Sequence, residues 1–123
     1  MKLLVVDDDP LLLELMQDML EGQGYALLLA ANGAQAWEIL QTGDVDIVLT
    51  DLVMPEQDGV SLITQIRRNF PGIRIIAMSG RSQNDLDIDW LQLVRVLGAD
   101  ATLTKPFSLE QMELLLAAMS SRH

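Results

Sequence analysis

The sequence predicts a doubly wound α/β fold, a five-stranded parallel sheet with helices on both faces. Three observations carry this reading. Strand-like and helix-like segments alternate along the whole chain, the pattern of successive β-α units. The strand-like runs are short and apolar without interruption, as strands covered on both faces are. The 123 residues are half hydrophobic, and neither a linker nor a repeat divides them. Residues 1–123 are therefore expected to form one domain with a substantial core.

The elements follow in order. Leu3 to Val6 is the first strand. Asp9 followed by Pro10 starts a helix, an acidic N-cap with proline at the first helical position. Leu12, Leu15, Met16 and Met19 form its predicted apolar stripe, and Gly22 and Gly24 close it. Tyr25 to Ala30 is the second strand. Asn32-Gly33 ends it, and Ala34 to Gln41 is helical with Trp37 and Leu40 inward, stopped by Gly43. Ile47 to Thr50 is the third strand. Asp58 to Asn69 is a helix with Leu62, Ile63, Ile66 and Phe70 at helical spacing, ended by Pro71-Gly72. Ile73 to Met78 is the fourth strand. Asp87 to Leu97 is expected to be helical, with Trp90, Leu93, Val94 and Leu97 inward and Gly98 as its cap. Ala101 to Thr104 is the fifth strand. Ser108, with Gln111 three residues on, makes a capping box for the last helix. Met112, Leu115, Leu116 and Met119 line its buried face. The Leu and Met stripes are core and not a cofactor box.

Composition excludes several classes. There is no cysteine, hence no disulfide framework and no thiolate metal site. No apolar run approaches the roughly 20 residues of a membrane span. The N-terminus lacks the pattern of an export signal, which makes the cytoplasm the default location. The formal net charge is −10, with eight Lys and Arg. That opposes direct binding of nucleic acid and suits a cation or a basic partner.

In an open parallel sheet, ligand chemistry lies outside the carboxyl ends of the strands. Strand one ends in Asp7-Asp8-Asp9, strand three in Asp51, strand four in Ser79, and strand five in Thr104-Lys105-Pro106-Phe107. Singly, each has a plainer explanation. Asp9 caps a helix, Ser79 suits a turn, and Lys105 could be a surface lysine. Lys before Pro at a strand end is less ordinary, since proline removes a ladder donor and invites a cis bond. Together they put carboxylates, a hydroxyl and an ammonium on one edge of the sheet. Close like charges call for a cation. Oxygen ligands in this number suit Mg²⁺, a hard ion that keeps several waters. A nucleophilic carboxylate can form an aspartyl-phosphate, with the metal and lysine neutralising the phosphoryl group.

These motifs resemble those of the response-regulator receiver domains of bacterial two-component signalling. Val5-Val6-Asp7-Asp8-Asp9-Pro10, Asp51-Leu52-Val53-Met54-Pro55 with Asp58-Gly59, Ser79-Gly80 and Lys105-Pro106-Phe107 fit that family's pattern in order, over essentially the whole chain. The resemblance implies a flavodoxin-like sheet of order 2-1-3-4-5. It implies Asp51 as phospho-acceptor, Ser79 as switch hydroxyl and Lys105 as phosphate-binding lysine with a cis Lys105–Pro106 bond. Asp8, Asp51 and the Val53 carbonyl would bind Mg²⁺, with Asp7 acting through water. Phosphate would come from a histidine kinase or a histidine phosphotransfer protein. The domain would be a switch and not an enzyme with turnover of its own. The output partner is left unassigned, and a homodimer is left open.

Some positions depart from the family's common form. The place of the switch aromatic holds Thr102. The segment between Ser79 and Lys105 is longer than usual, with extra acids at Asp85, Asp87 and Asp89. The last helix lacks the basic residues of receivers that dimerise before a DNA-binding domain. Val53 and Arg81 flank the phosphorylation site. The first offers a water no hydrogen bond, and the second could pair with phosphoryl oxygens, so a long-lived phospho-form is expected. Two other functions stay in view: a receiver-like adaptor that takes no phosphate, and a small phosphatase with an Asp nucleophile. In the phosphatase the nucleophile would follow the first strand, at Asp7.

Overall fold

A computed structural model describes residues 1–52, 59–79 and 98–120, without the side chains of residues 59, 60 and 79. The elements are β1 (Lys2–Val6), α1 (Pro10–Leu20), β2 (Ala26–Ala30), α2 (Gly33–Thr42), β3 (Ile47–Asp51), α3 (Gly59–Asn69), β4 (Arg74–Ser79), β5 (Ala101–Thr104) and α4 (Leu109–Ser120). The expected helix over 87–97 lies outside the described residues.

All four strand pairings are parallel, and the order is β2-β1-β3-β4-β5. The chain reverses direction of winding beside β1. The carboxyl ends of β1 and β3 therefore lie next to each other, and the site is built there.

Strand alternation divides the core into two layers. Leu4, Val6, Val48, Ile75 and Ala77 face one side, against Ala36 and Leu40 of α2 and Leu62, Ile63 and Ile66 of α3. Leu3, Val5, Ile47, Leu49, Ile76, Met78, Ala101 and Leu103 face the other, against Met16 and Leu20 of α1 and Met112, Leu116 and Met119 of α4. Each fully buried Leu or Ile contributes about 1.5–3 kcal/mol by leaving water. Trp37 is only half-buried, and its ring meets that of Phe70 edge-on at 5.7 Å between centroids.

The helix starts form as their residues dictate. Asp9 Oδ1 accepts from the Leu11 N–H at 3.0 Å, with Pro10 following. Asn32 Oδ1 accepts from the Gln35 N–H, and the Gln35 side chain returns to the Ala31 N–H, both at 2.8 Å. Ser108 and Gln111 make the expected reciprocal pair, at 2.9 and 3.1 Å.

One expectation for α1 is corrected. Leu15 does not face the core; it is 52 % exposed, and Leu20 is buried instead. The helix carries Leu or Met at seven of its eleven positions, so its sequence defines no single stripe. Packing on β1 and β2 chose the face. Leu15 instead lines an apolar groove with Leu12, Met19, Pro106 and Phe107, beside Lys105.

Candidate functional site

Asp7 follows β1 directly. Its backbone N–H continues the ladder by donating to the Ala30 carbonyl at 3.0 Å. Its carboxylate is wholly buried, and both oxygens are engaged. Oδ1 accepts from the Asp9 N–H at 2.9 Å, and Oδ2 accepts from Lys105 Nζ at 2.6 Å. A buried carboxylate requires such partners.

Asp51 is the last residue of β3 and lies beside Met78 of β4. It is buried, with 12 % of its side chain exposed, and its Oδ2 is 3.5 Å from Lys105 Nζ. The preceding Thr50 is buried and donates from its hydroxyl to the Asp51 carbonyl at 3.0 Å. Asp8 is exposed at the rim.

Lys105 reaches the site from the end of β5, across the β3 and β4 strand ends. Its peptide bond to Pro106 is cis. Burial pushes its pKa down, but the hydrogen bond with Asp7 and the charges of Asp51 and Asp7 outweigh this. The ammonium is held above its ordinary 10.5.

Asp7, Asp8 and Asp51 each offer a carboxylate oxygen, and these oxygens lie within 4.8 Å of one another. Two opposite Mg–O bonds span about 4.2 Å, so a small rotation of the exposed Asp8, or one intervening water, fits the set to the ion. The charge also fits. Three carboxylates face one ammonium, an excess of two negative charges that a divalent cation balances. The acidic cluster is therefore capable of metal coordination.

Ser79 ends β4 and pairs in register with Thr104, which brings its backbone to the same edge. Its side chain lies outside what the structure describes, as do Val53 and Arg81 altogether. Thr102 is half-buried on β5 opposite Ala77, on the strand face away from Leu103. The sequence reading placed Lys105 at the site but missed Asp7 as its nearest partner. Nothing in the local sequence signals a pair 98 positions apart.

The comparisons with known proteins agree with this geometry. The family model described as the response regulator receiver domain matches residues 3–117. The chain is 38 % identical over 122 residues to a sensor kinase, CckA, of Brucella abortus, covering 95 % of this chain and 12 % of that protein. It is 34 % identical over 112 residues to the transcriptional regulatory protein DltR of Streptococcus agalactiae, covering 91 % of this chain and 48 % of the relative. The chain thus spans half or less of these relatives. Among solved structures, the response regulator protein TrrA of Thermotoga maritima, in complex with Mg(2+)-BeF, superposes with a TM-score of 0.82 at 26 % identity. That match covers 96 % of this chain and 97 % of the other.

The sheet order and the carboxylate cluster at its switch point match those of a receiver domain, whose identity implies a phospho-switch rather than a classical catalytic enzyme. The chain belongs to the response regulator receiver domain family of two-component signalling. Its Asp7, Asp8 and Asp51 cluster agrees with the phospho-accepting site of such a domain.

Proposed function

We propose that Asp51 accepts a phosphoryl group from a phosphohistidine of a histidine kinase or a histidine phosphotransfer protein. The observation that carries this reading is the meeting of Asp7, Asp8, Asp51 and Lys105 at the carboxyl ends of β1, β3 and β5. An Asp51 carboxylate oxygen attacks phosphorus, and the P–N bond to the donor breaks. The imidazole leaves with its electron pair and takes up a proton. Asp8 and Asp51 would hold Mg²⁺ directly and Asp7 through a water, with the Val53 carbonyl completing the protein ligands. The ion would supply charge neutralisation on the phosphoryl oxygens.

Lys105 pairs with a phosphoryl oxygen on the other side, at the cost of its contact with Asp7. The Ser79 hydroxyl then donates to the phosphoryl group and communicates its arrival. Exposed Leu11 and Leu15, and the groove of Leu12, Met19, Pro106 and Phe107 next to Lys105, support a protein as the donor.

The phosphatase reading would make Asp7 the nucleophile. Its burial and its two engaged oxygens oppose that role. Asp51 lies at the same edge with part of its side chain open to solvent.

Phosphoramidate and Mg²⁺ test the assignment. Intact mass should rise by one phosphoryl group in the wild type and stay unchanged in Asp51→Asn. Equal labelling of both proteins would move the acceptor elsewhere. No labelling of the wild type would favour the adaptor.

A further inference from the structure

We propose that Arg67 and Asp100 form a register lock for β5, and that this lock positions Lys105 at the site from the opposite edge of the sheet. The inference rests on the reading of Lys105 as the phosphoryl-binding lysine.

Arg67 sits near the carboxyl end of α3, and its guanidinium makes five hydrogen bonds. Nε and Nη2 donate to the Gly98 carbonyl at 3.0 and 2.6 Å. Nη1 donates to the carbonyls of Pro71 and Ile73 at 2.9 and 3.1 Å. Nη2 also donates to Asp100 Oδ2 at 2.8 Å. One planar fork thus ties together the end of α3, the turn before β4 and the approach to β5. Gly98 makes room for it. Its φ is +130°, and a Cβ there would stand 2.9 Å from Arg67 Cγ.

Asp100 joins this fork to the sheet. Its backbone N–H donates to the Ile75 carbonyl, and its Oδ2 accepts from the Ile75 N–H, both at 2.8 Å. Asp100 is therefore fixed to β4 by main chain and side chain at once, one residue before β5 begins. About a fifth of its side chain and a quarter of that of Arg67 are exposed, so the pair is partly shielded from solvent.

β5 needs such a fixture. It has four residues, lies at the edge of the sheet and, among the described residues, pairs with β4 alone. Its apolar pattern consists of Ala101 and Leu103. That pattern forbids a slip of one residue, which would turn both out of the core. A slip of two residues preserves the facing and is not forbidden by it. Such a slip would carry Lys105 about 6.6 Å along the strand. The apolar pattern thus sets the parity of β5, and the lock at Asp100 sets its frame. Lys105 follows Thr104 directly, so the frame chosen at Asp100 decides where the ammonium stands.

Calorimetric titration with beryllofluoride at saturating Mg²⁺ tests the lock, with Mg²⁺ affinity measured separately. The variants are Arg67→Ala and Asp100→Ala, each in wild-type and Lys105→Ala backgrounds. Asp100→Ala removes the oxygen shared by the Arg67 guanidinium and the Ile75 N–H, so it serves if Arg67→Ala does not fold. The expected result is a loss of about tenfold in beryllofluoride affinity, the scale of a small misplacement of a charged group. Mg²⁺ affinity should be unchanged, and the loss should vanish in the Lys105→Ala background.

A loss that persists without Lys105, or that extends equally to Mg²⁺, would mean general loosening and overturn the inference. Unchanged beryllofluoride affinity in the lock variants, with a loss in Lys105→Ala, would overturn the lock and leave the role of Lys105 standing. Unchanged affinity in Lys105→Ala itself would remove the reading beneath both.

Discussion

Lys105 Nζ stands 2.6 Å from Asp7 Oδ2, closer than the 3.5 Å that separates it from Asp51 Oδ2. Before phosphorylation the ammonium is thus held chiefly by the buried carboxylate of the first strand. A phosphoryl group on Asp51 would offer it stronger acceptors across a short gap.

Removing Lys105 should destabilise the Mg²⁺-free protein. Lys105→Met leaves the buried Asp7 carboxylate with only the Asp9 N–H among its observed partners. The expected cost is about 1–3 kcal/mol at pH 7, the desolvation penalty of a group left short of a partner. Urea denaturation in EDTA measures it, and added Mg²⁺ should restore part of the loss. The pH dependence has a definite sign. The folded-state pKa of Lys105 lies above its ordinary 10.5. Its contribution is therefore fully present below pH 10.5, and it disappears as pH rises through the higher folded value. The stability gap between wild type and variant should hold from pH 7 to about pH 10 and close above that.

Metal binding and fold stability should separate at Asp8. The residue is exposed, so Asp8→Asn should change stability by no more than about 0.5 kcal/mol without metal. Its Mg²⁺ affinity should fall at least about tenfold, since even an outer partner of a metal ligand is worth that much. Thermal melts across a Mg²⁺ titration test both. The wild-type Tm should climb with Mg²⁺ as ligand linkage requires, and that of the variant should stay nearly flat.

Gly98→Ala should be among the costly surface substitutions. The residue holds a φ of +130°, and the new methyl would press on the Arg67 side chain. The expected loss is about 1–3 kcal/mol, from backbone strain and displacement of the guanidinium. Urea denaturation measures it. A loss under about 0.5 kcal/mol would show that neither effect operates.

The phosphorylated protein should decay slowly once the donor is removed. Val53 gives a hydrolytic water no hydrogen bond, and Arg81 is long enough to pair with phosphoryl oxygens. Val53→Asn and Arg81→Glu should both shorten the lifetime, followed by intact mass against time. Wild-type decay within seconds, or variants no faster than wild type, would refute it.

The sequence by itself determined the order of the described elements, the capping pair at Ser108–Gln111 and the strand ends where the carboxylates and the lysine stand, whereas the reciprocal pair at Asn32–Gln35 was not foreseen in it. These are local signals. Strand runs, helical spacing, caps and turn residues are all written within a few positions of one another. The placement of Asp51 and Lys105 at one edge followed, because parallel strands deliver their carboxyl ends together.

Tertiary structure decided what local signals leave degenerate. Helix α1 is apolar on too many sides to announce its buried face, so packing on the sheet exposed Leu15 and buried Leu20. Arg67 and Arg68 are adjacent and chemically alike. The positions of Gly98 and Asp100, together with the Pro71 and Ile73 carbonyls, made the first a five-bond clamp. The sequence tied Lys105 to a phosphoryl group on Asp51, which ends the nearer strand β3, yet in the folded chain its closer contact is to Asp7 beyond β1. Contacts between distant segments depend on how the strands are ordered and aligned, and the apolar pattern read along a strand fixes which face it buries but not which frame it takes beside its neighbour.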